Sequence, residues 1–273
     1  MADPRDGSAG GAVTRREFVG TGAAALGALA AGSALAACGD SGTGPAGWTP
    51  EAVSDPRLTA RPGAPALPPP SGTTALGLSE GRDGLLFVPE SYSPGVAAPL
   101  LVVLHGAGGG AADWSSYAAL AADRGIVVLA PDSRFSTWDI ISIGYYSADV
   151  DFLDDALAHV FARVRVAPDR IALGGFSDGA SYALSLGLSN GDLFARLVGH
   201  SAGFLAPGDP IVGRPDVWMS HGSSDPVLSL AGARSIETEL RADGYDVSFT
   251  EFEGGHTVPP SVAAAALDGV LAA

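Results

Sequence analysis

Arg170-Ile171-Ala172-Leu173-Gly174-Gly175-Phe176-Ser177-Asp178-Gly179-Ala180-Ser181-Tyr182-Ala183-Leu184 changes its period at one residue. Residues 170–176 read as an apolar strand, and residues 178–188 carry small and apolar side chains at helical spacing. The chain therefore stops extending and starts coiling at Ser177. A side chain at so abrupt a bend is pushed outward, and its neighbours must be small, a need that Gly175 and Gly179 meet. The pattern Gly-x-Ser-x-Gly is weak on its own: with 38 glycines in the chain, roughly half a match arises by chance. It recurs as Gly199-His200-Ser201-Ala202-Gly203. That second copy runs into Phe204-Leu205-Ala206-Pro207-Gly208, where no helix can start promptly. Ser201 reads as a tight turn at a strand end, and Ser177 as the exposed hydroxyl.

Outward from this bend, strand and helix patterns alternate. Strands are predicted at 84–88, 100–105, 125–131, 170–176, 195–201, 217–221 and 247–252, and helices near 112–123, 148–164, 178–188, 230–242 and 260–271. Leu100-Leu101-Val102-Val103-Leu104 is apolar without alternation, which suits a strand buried on both faces of a sheet. The alternation predicts an α/β domain over residues 76–273, with a mostly parallel central sheet and helices on both faces. The short first strand, 84–88, can pair antiparallel at the edge. Between Ser201 and Val217 there is no room for a large cap domain. In such sheets the functional groups gather on the loops at the carboxyl ends of the strands. The polar and Gly-rich stretches at 105–110, 132–138, 177, 201, 221–225 and 256 occupy those positions.

A nucleophilic serine needs a base, and the base needs an orienting carboxylate. Only His221 and His256 follow both serine candidates. His256 lies in Gly254-Gly255-His256-Thr257-Val258-Pro259, between the last strand and the last helix. Asp225 lies in His221-Gly222-Ser223-Ser224-Asp225-Pro226, directly after a strand; by itself it would be an ordinary turn residue. His221 is read as shaping this loop, His159 as a helix residue and His200 as part of a strand end. In His105-Gly106-Ala107-Gly108-Gly109-Gly110 the glycines let backbone N–H groups approach a developing oxyanion. A phosphate loop would look similar, but no Gly-Lys-Ser/Thr follows and the chain has no lysine. The N–H of Asp178, next to the nucleophile, is a second donor. His105 is read as organising its loop. Gly106, Trp138 and Tyr145, with Phe135 and Tyr146, are candidate walls of a substrate pocket; core packing is the alternative for the aromatic residues.

The formal net charge is −15, which disfavours nucleic acid as a partner. The single cysteine, Cys38, excludes an internal disulfide framework and a cysteine-rich metal site. Arg15-Arg16 precede an uncharged run rich in Ala, Gly and Leu that ends in Leu35-Ala36-Ala37-Cys38. Residues 1–37 resemble a twin-arginine export signal with a lipobox, implying a lipidated Cys38 and anchorage to a membrane facing the periplasm or cell exterior. The other reading of the apolar run is a permanent membrane span. Residues 38–75 are rich in Gly, Pro, Ser and Thr and read as a spacer.

Four blocks now carry a resemblance over residues 84–273: Leu104-His105-Gly106-Ala107-Gly108, Gly174-Gly175-Phe176-Ser177-Asp178-Gly179-Ala180, His221-Gly222-Ser223-Ser224-Asp225-Pro226-Val227 and Gly254-Gly255-His256. In this order they resemble the phospholipase/carboxylesterase branch of the α/β-hydrolases, which includes acyl-protein thioesterase-like enzymes. They are more distantly similar to polyhydroxybutyrate depolymerase-like and feruloyl-esterase-like proteins. The resemblance implies an α/β-hydrolase fold with Ser177, Asp225 and His256 as catalytic triad, and the N–H groups of Ala107 and Asp178 as oxyanion hole. The expected reaction is hydrolysis of carboxylic esters, of small to medium size because the short segment after Ser201 leaves an open pocket, and acyl transfer by such a triad needs no metal or organic cofactor. The aspartate after the serine departs from the glutamine of the thioesterases. The same triad would serve a peptidase or amidase, and a hydrolase-fold surface lipoprotein without activity is the non-enzymatic alternative.

Overall fold

The computed structural model describes residues 55–271. The expected export signal and Cys38 lie outside these residues, as does the first part of the expected spacer.

Eight strands form one sheet: β1 (Gly72–Ala75), β2 (Gly84–Val88), β3 (Ala98–Leu104), β4 (Val127–Pro131), β5 (Val166–Phe176), β6 (Arg196–His200), β7 (Asp216–Gly222) and β8 (Val247–Phe252). Their spatial order is β1-β2-β4-β3-β5-β6-β7-β8. The β1–β2 and β2–β4 pairs are antiparallel, and every other pair is parallel. The helices are α1 (Ser115–Ala122, entered through a 3-10 turn at Ala111–Trp114), α2 (Asp139–Ser142), α3 (Ala148–Phe161), α4 (Asp178–Ser189), α5 (Leu230–Ala242) and α6 (Pro260–Leu271).

All of β3 is buried, and its side chains alternate between two cores. Leu100, Val102 and Leu104 join the layer made by α3, α4 and α5, while Leu101 and Val103 join the layer made by α1 and α6. A continuous apolar run is what a strand covered on both faces requires, and each such Leu or Val contributes about 1.5–3 kcal/mol of burial. This is an α/β-hydrolase fold: a mostly parallel sheet sandwiched by helices. Residues 201–215 carry no helix, so nothing caps the carboxyl end of the sheet there.

Two features differ from the sequence reading. First, β2 is not the edge strand; β1 covers it, pairing Gly72 with Val88 and Ala75 with Leu85. Second, the described part of the expected spacer, residues 55–75, lies on the domain. Leu58 is 2% exposed, and its N–H donates to Asn190 Oδ1 at 2.8 Å. Arg57 pairs with Asp192 at 2.8 Å, and the N–H groups of Thr59 and Ala60 both donate to Asp154 Oδ1 at 2.7 Å. Pro and Gly set the backbone of this segment, and these point contacts fasten it. The domain therefore starts before residue 76.

Candidate active site

Ser177 sits between the end of β5 and the start of α4 with φ 57° and ψ −120°. This left-handed conformation costs a residue with a Cβ roughly 1–3 kcal/mol. The bend is held by the Ser177 N–H, which donates to the His200 carbonyl at 2.9 Å, and by the Ser177 carbonyl, which accepts from Ala180 N–H at 3.0 Å. The glycines on either side are required by close approach. A methyl on Gly179 would run into the carbonyl oxygens of Leu104 and His105, and one on Gly175 into the carbonyl of Gly179.

The three residues singled out in sequence come together at this bend. Ser177 Oγ lies 2.9 Å from His256 Nε2, and His256 Nδ1 lies 2.7 Å from Asp225 Oδ2. The Asp225 side chain is closed off from solvent. Its Oδ1 accepts the N–H groups of Val227 at 2.8 Å and Leu228 at 3.0 Å. Burial alone would raise this carboxyl, but the Leu228 N–H, His256 and the Val227 N–H outweigh it and hold the group below its ordinary value. Asp225 is thus a fixed anion. With Nδ1–H donated to it, His256 presents the lone pair of Nε2 to the serine hydroxyl. His221 is fully buried; its Nε2 donates to the Leu228 carbonyl at 2.8 Å, which shapes the acid loop.

Gly106 and Ala107 pass beside the hydroxyl: a methyl on Gly106 would lie 3.3 Å from Ser177 Cβ. The Ala107 N–H has no acceptor within the described residues. Asp178 is the first residue of α4, so its N–H has no intrahelical acceptor either. Asp178 opens α4, and the positive end of the helix dipole there favours a nearby anion.

The loop carrying these donors is braced from the segment after β4. Gly108 N–H donates to Ser136 O at 2.7 Å, Trp138 Nε1–H to His105 O at 2.8 Å, and Thr137 Oγ1–H to Asp178 Oδ2 at 2.6 Å. His105 is buried with Nδ1–H donated to Gly106 O at 2.7 Å and Nε2 accepting Ser133 N–H at 3.0 Å. Burial, with Arg82 alongside, keeps its pKa below the ordinary value, so it serves as a neutral tie.

A cavity of about 370 Å³ opens beside His256 and Phe176, lined also by Gly106, Ala107, Trp114, Tyr117 and Val258. Gly106 lies on it, but Trp138 and Tyr145 do not. Trp138 is wholly buried and stacks on Tyr182 at 5.1 Å, because its indole N–H is committed to the His105 carbonyl. Tyr145 is 40% exposed away from the cavity, and Tyr146 is buried, donating to Ala206 O at 3.0 Å. The walls come instead from the other side, just after the Gly-rich loop. Tyr117 turns its hydroxyl inward, 3.3 Å from His200 Nε2, and shows the cavity its ring. Burial drives His200 down to about 3, so it stays neutral there. Sequence reasoning missed Trp114 and Tyr117; the signal available was their position immediately behind the oxyanion loop.

The fold is that of the α/β-hydrolases, and the site has the Ser-His-Asp arrangement that serine hydrolases use. The family model described as Phospholipase/Carboxylesterase matches residues 150–268, a span containing Ser177, Asp225 and His256. NocK of Nocardia uniformis subsp. tsuyamanensis, a protein named as an esterase, is 31% identical over 208 residues, 70% of this chain and 50% of NocK. Acyl-protein thioesterase 1 of Gibberella zeae is 31% identical over 105 residues, 35% of this chain and 44% of that protein. This chain thus spans about half the length of the curated relatives it matches. The fold is shared with S-formylglutathione hydrolase FrmB of Staphylococcus aureus, at TM-score 0.59 and 17% identity over 75% of this chain and 99% of that one.

Proposed function

We propose that the chain is a serine carboxylesterase acting on small to medium carboxylic esters through an acyl-enzyme. The observation that carries this reading is the Ser177–His256–Asp225 relay, at 2.9 and 2.7 Å, opening onto a cavity with free N–H donors. His256 Nε2 takes the hydroxyl proton as Ser177 Oγ bonds to the ester carbonyl carbon. The carbonyl oxygen becomes an oxyanion held by the N–H groups of Ala107 and Asp178. Asp225 keeps the imidazole in the required tautomer and favours its cation. Collapse of the tetrahedral adduct breaks the C–O bond, and His256 returns the proton to the departing alcohol. Water then attacks the acyl-serine with His256 again as base, releasing the acid and restoring Ser177. The cavity lies near the lower end of ordinary ligand-pocket volumes, and its apolar wall of Trp114, Phe176 and Val258 suits a short acyl chain.

The test is hydrolysis of p-nitrophenyl acetate, butyrate and decanoate by the purified protein. The expected kcat/KM peaks at the shorter esters and falls at decanoate. Cleavage of peptide anilides with no ester hydrolysis would replace this reading by a peptidase or amidase.

We further propose export and lipid anchorage at Cys38, supported by Arg15-Arg16 and the run ending Leu35-Ala36-Ala37-Cys38. Radiolabelled palmitate should enter the wild-type protein in its native host and be absent from Cys38→Ala; equal labelling of both would refute the anchor.

A further inference from the structure

Behind the oxyanion loop lie two carboxylates that the reaction does not use. Asp139, at the start of α2, is 0% exposed, and Asp149, in the first turn of α3, is 1% exposed. They hold one another through backbone: Asp149 Oδ2 accepts Asp139 N–H at 2.7 Å, and Asp139 Oδ2 accepts Asp149 N–H at 3.2 Å. Asp149 Oδ1 accepts Arg134 N–H at 2.6 Å, and Asp139 Oδ2 also accepts Ser147 N–H at 2.6 Å. Three of the four oxygens therefore receive N–H donors. The fourth, Asp139 Oδ1, is buried and receives no N–H; the Tyr182 hydroxyl faces Asp139 from α4, too loosely placed for a well-formed hydrogen bond, and favours its ionised form.

Among the described residues no cation neutralises the pair by contact. Arg134 is nearest, but its Nη2 donates to the Asp132 carbonyl at 2.8 Å and its guanidinium lies 3.5 Å over the Phe152 ring. The other ionisable groups facing this cluster are Tyr146, Tyr182, Asp132, Asp83 and Arg82. Burial pushes Asp139 up to about 6. Burial, and then the Asp139 charge, push Asp149 up to about 7.

We propose that Asp139 and Asp149 form a proton-dependent clasp that positions the oxyanion loop, closed while one proton sits on Asp139 Oδ1 and loosened when the pair is fully ionised. Protonated, Oδ1 donates to the Tyr182 oxygen; ionised, it accepts the Tyr182 O–H, the stronger of the two bonds. Loss of that proton leaves two buried charges side by side. What they fasten is the segment from Arg134 to Asp149, which carries the Ser136, Thr137 and Trp138 contacts to Gly108, Asp178 and His105. Both carboxylates are positioning residues, acting on the reaction through Ala107 and Asp178.

The clasp rests on the esterase reading only in that activity is one of its two readouts. The hydrogen-bond pattern makes the two amides opposites. In Asp139→Asn the amide NH2 replaces the fourth oxygen and imitates the protonated clasp. In Asp149→Asn an NH2 must face a backbone N–H, and the clasp fails at every pH. The experiment follows kcat and KM from about pH 6 to pH 9, together with the Trp138 indole N–H resonance, assigned with Trp138→Phe. In the wild type, kcat should fall at least about fivefold through the neutral range with KM little changed, and the resonance should move with the same midpoint. Asp139→Asn should hold a level kcat and an unmoving resonance, and Asp149→Asn should have low kcat throughout. If Asp139→Asn does not fold, Tyr182→Phe decides: loss of the hydroxyl beside the ionised carboxyl should raise the midpoint. The proposal is overturned by an Asp139→Asn profile that falls like the wild type, by a Trp138 resonance that ignores pH in the wild type, or by an unmoved midpoint in Tyr182→Phe. Failure to hydrolyse any ester, with the resonance still titrating only in the wild type, would remove the esterase reading and leave the clasp standing.

Discussion

Ser177 and Ser201 hold the same left-handed backbone conformation, at φ 57° and 55°, at the ends of two adjacent parallel strands. The two bends are linked: Ser177 N–H donates to the carbonyl of His200, and Ser201 N–H donates to that of Ser220. Only one leads to an imidazole. Ser177 Oγ meets His256 at 2.9 Å, whereas Ser201 is 0% exposed and its Oγ has no partner. Ser177→Ala should lower kcat by at least about 10⁴-fold, as removal of a nucleophile does in related chemistry. Ser201→Ala removes an unsatisfied buried hydroxyl and should leave kcat/KM within about twofold with stability unchanged or slightly higher. Steady-state kinetics on a p-nitrophenyl ester separate the two.

Asp225 acts through the tautomer of His256. Asp225→Asn keeps the shape but offers an NH2 to Nδ1, so Nε2 would carry the proton and could not accept one. The expected loss is about 10⁴-fold in kcat with little change in KM. An active Asp225→Asn enzyme would count against the relay.

Acyl-chain selection should follow the wall that lines the cavity. Trp114→Leu opens space beside Tyr117 and Phe176, and should raise the decanoate-to-butyrate ratio of kcat/KM by about tenfold, one or two buried methylenes' worth of discrimination. Tyr145→Ala lies off the cavity and should leave that ratio unchanged.

Stability should carry the signature of the buried acid pair. Both carboxyls have folded-state values above the ordinary 3.8, so the folded chain binds more protons than the unfolded one from about pH 4 to 7. The stabilisation is complete below the ordinary value and is lost as pH rises through about 6 to 7. Asp139→Asn lacks that loss. The Tm difference between this variant and the wild type should therefore grow between about pH 5 and 8, by roughly 2–4 °C for each kcal/mol involved. A difference constant with pH would show that the pair titrates normally.

What could be read in the sequence follows from which signals are local. The unbroken apolar run of β3 and the change of period at Ser177 are local, and both carry through to the fold. β1 is Gly72-Thr73-Thr74-Ala75, half exposed at a sheet edge, and has no apolar pattern to announce it. Residues 55–71 look like linker because Arg57, Leu58 and Thr59 are held by residues near 154 and 190, far away in sequence. The aromatic residues between 135 and 146 drew attention as a pocket wall, but Trp138 is committed by its indole N–H to the His105 carbonyl. The Asp139–Asp149 pair was invisible because an aspartate at a helix start is usually solvated; only packing reveals that these two are not.

The most direct test of the central claim is reaction of the full chain with a fluorophosphonate, read by intact mass and then by peptide mapping. A Ser177 activated by His256 should take up one phosphonyl group, at Ser177, with none in Ser177→Ala or His256→Ala. An unreacted wild-type chain, or an adduct at Ser201, would contradict the account.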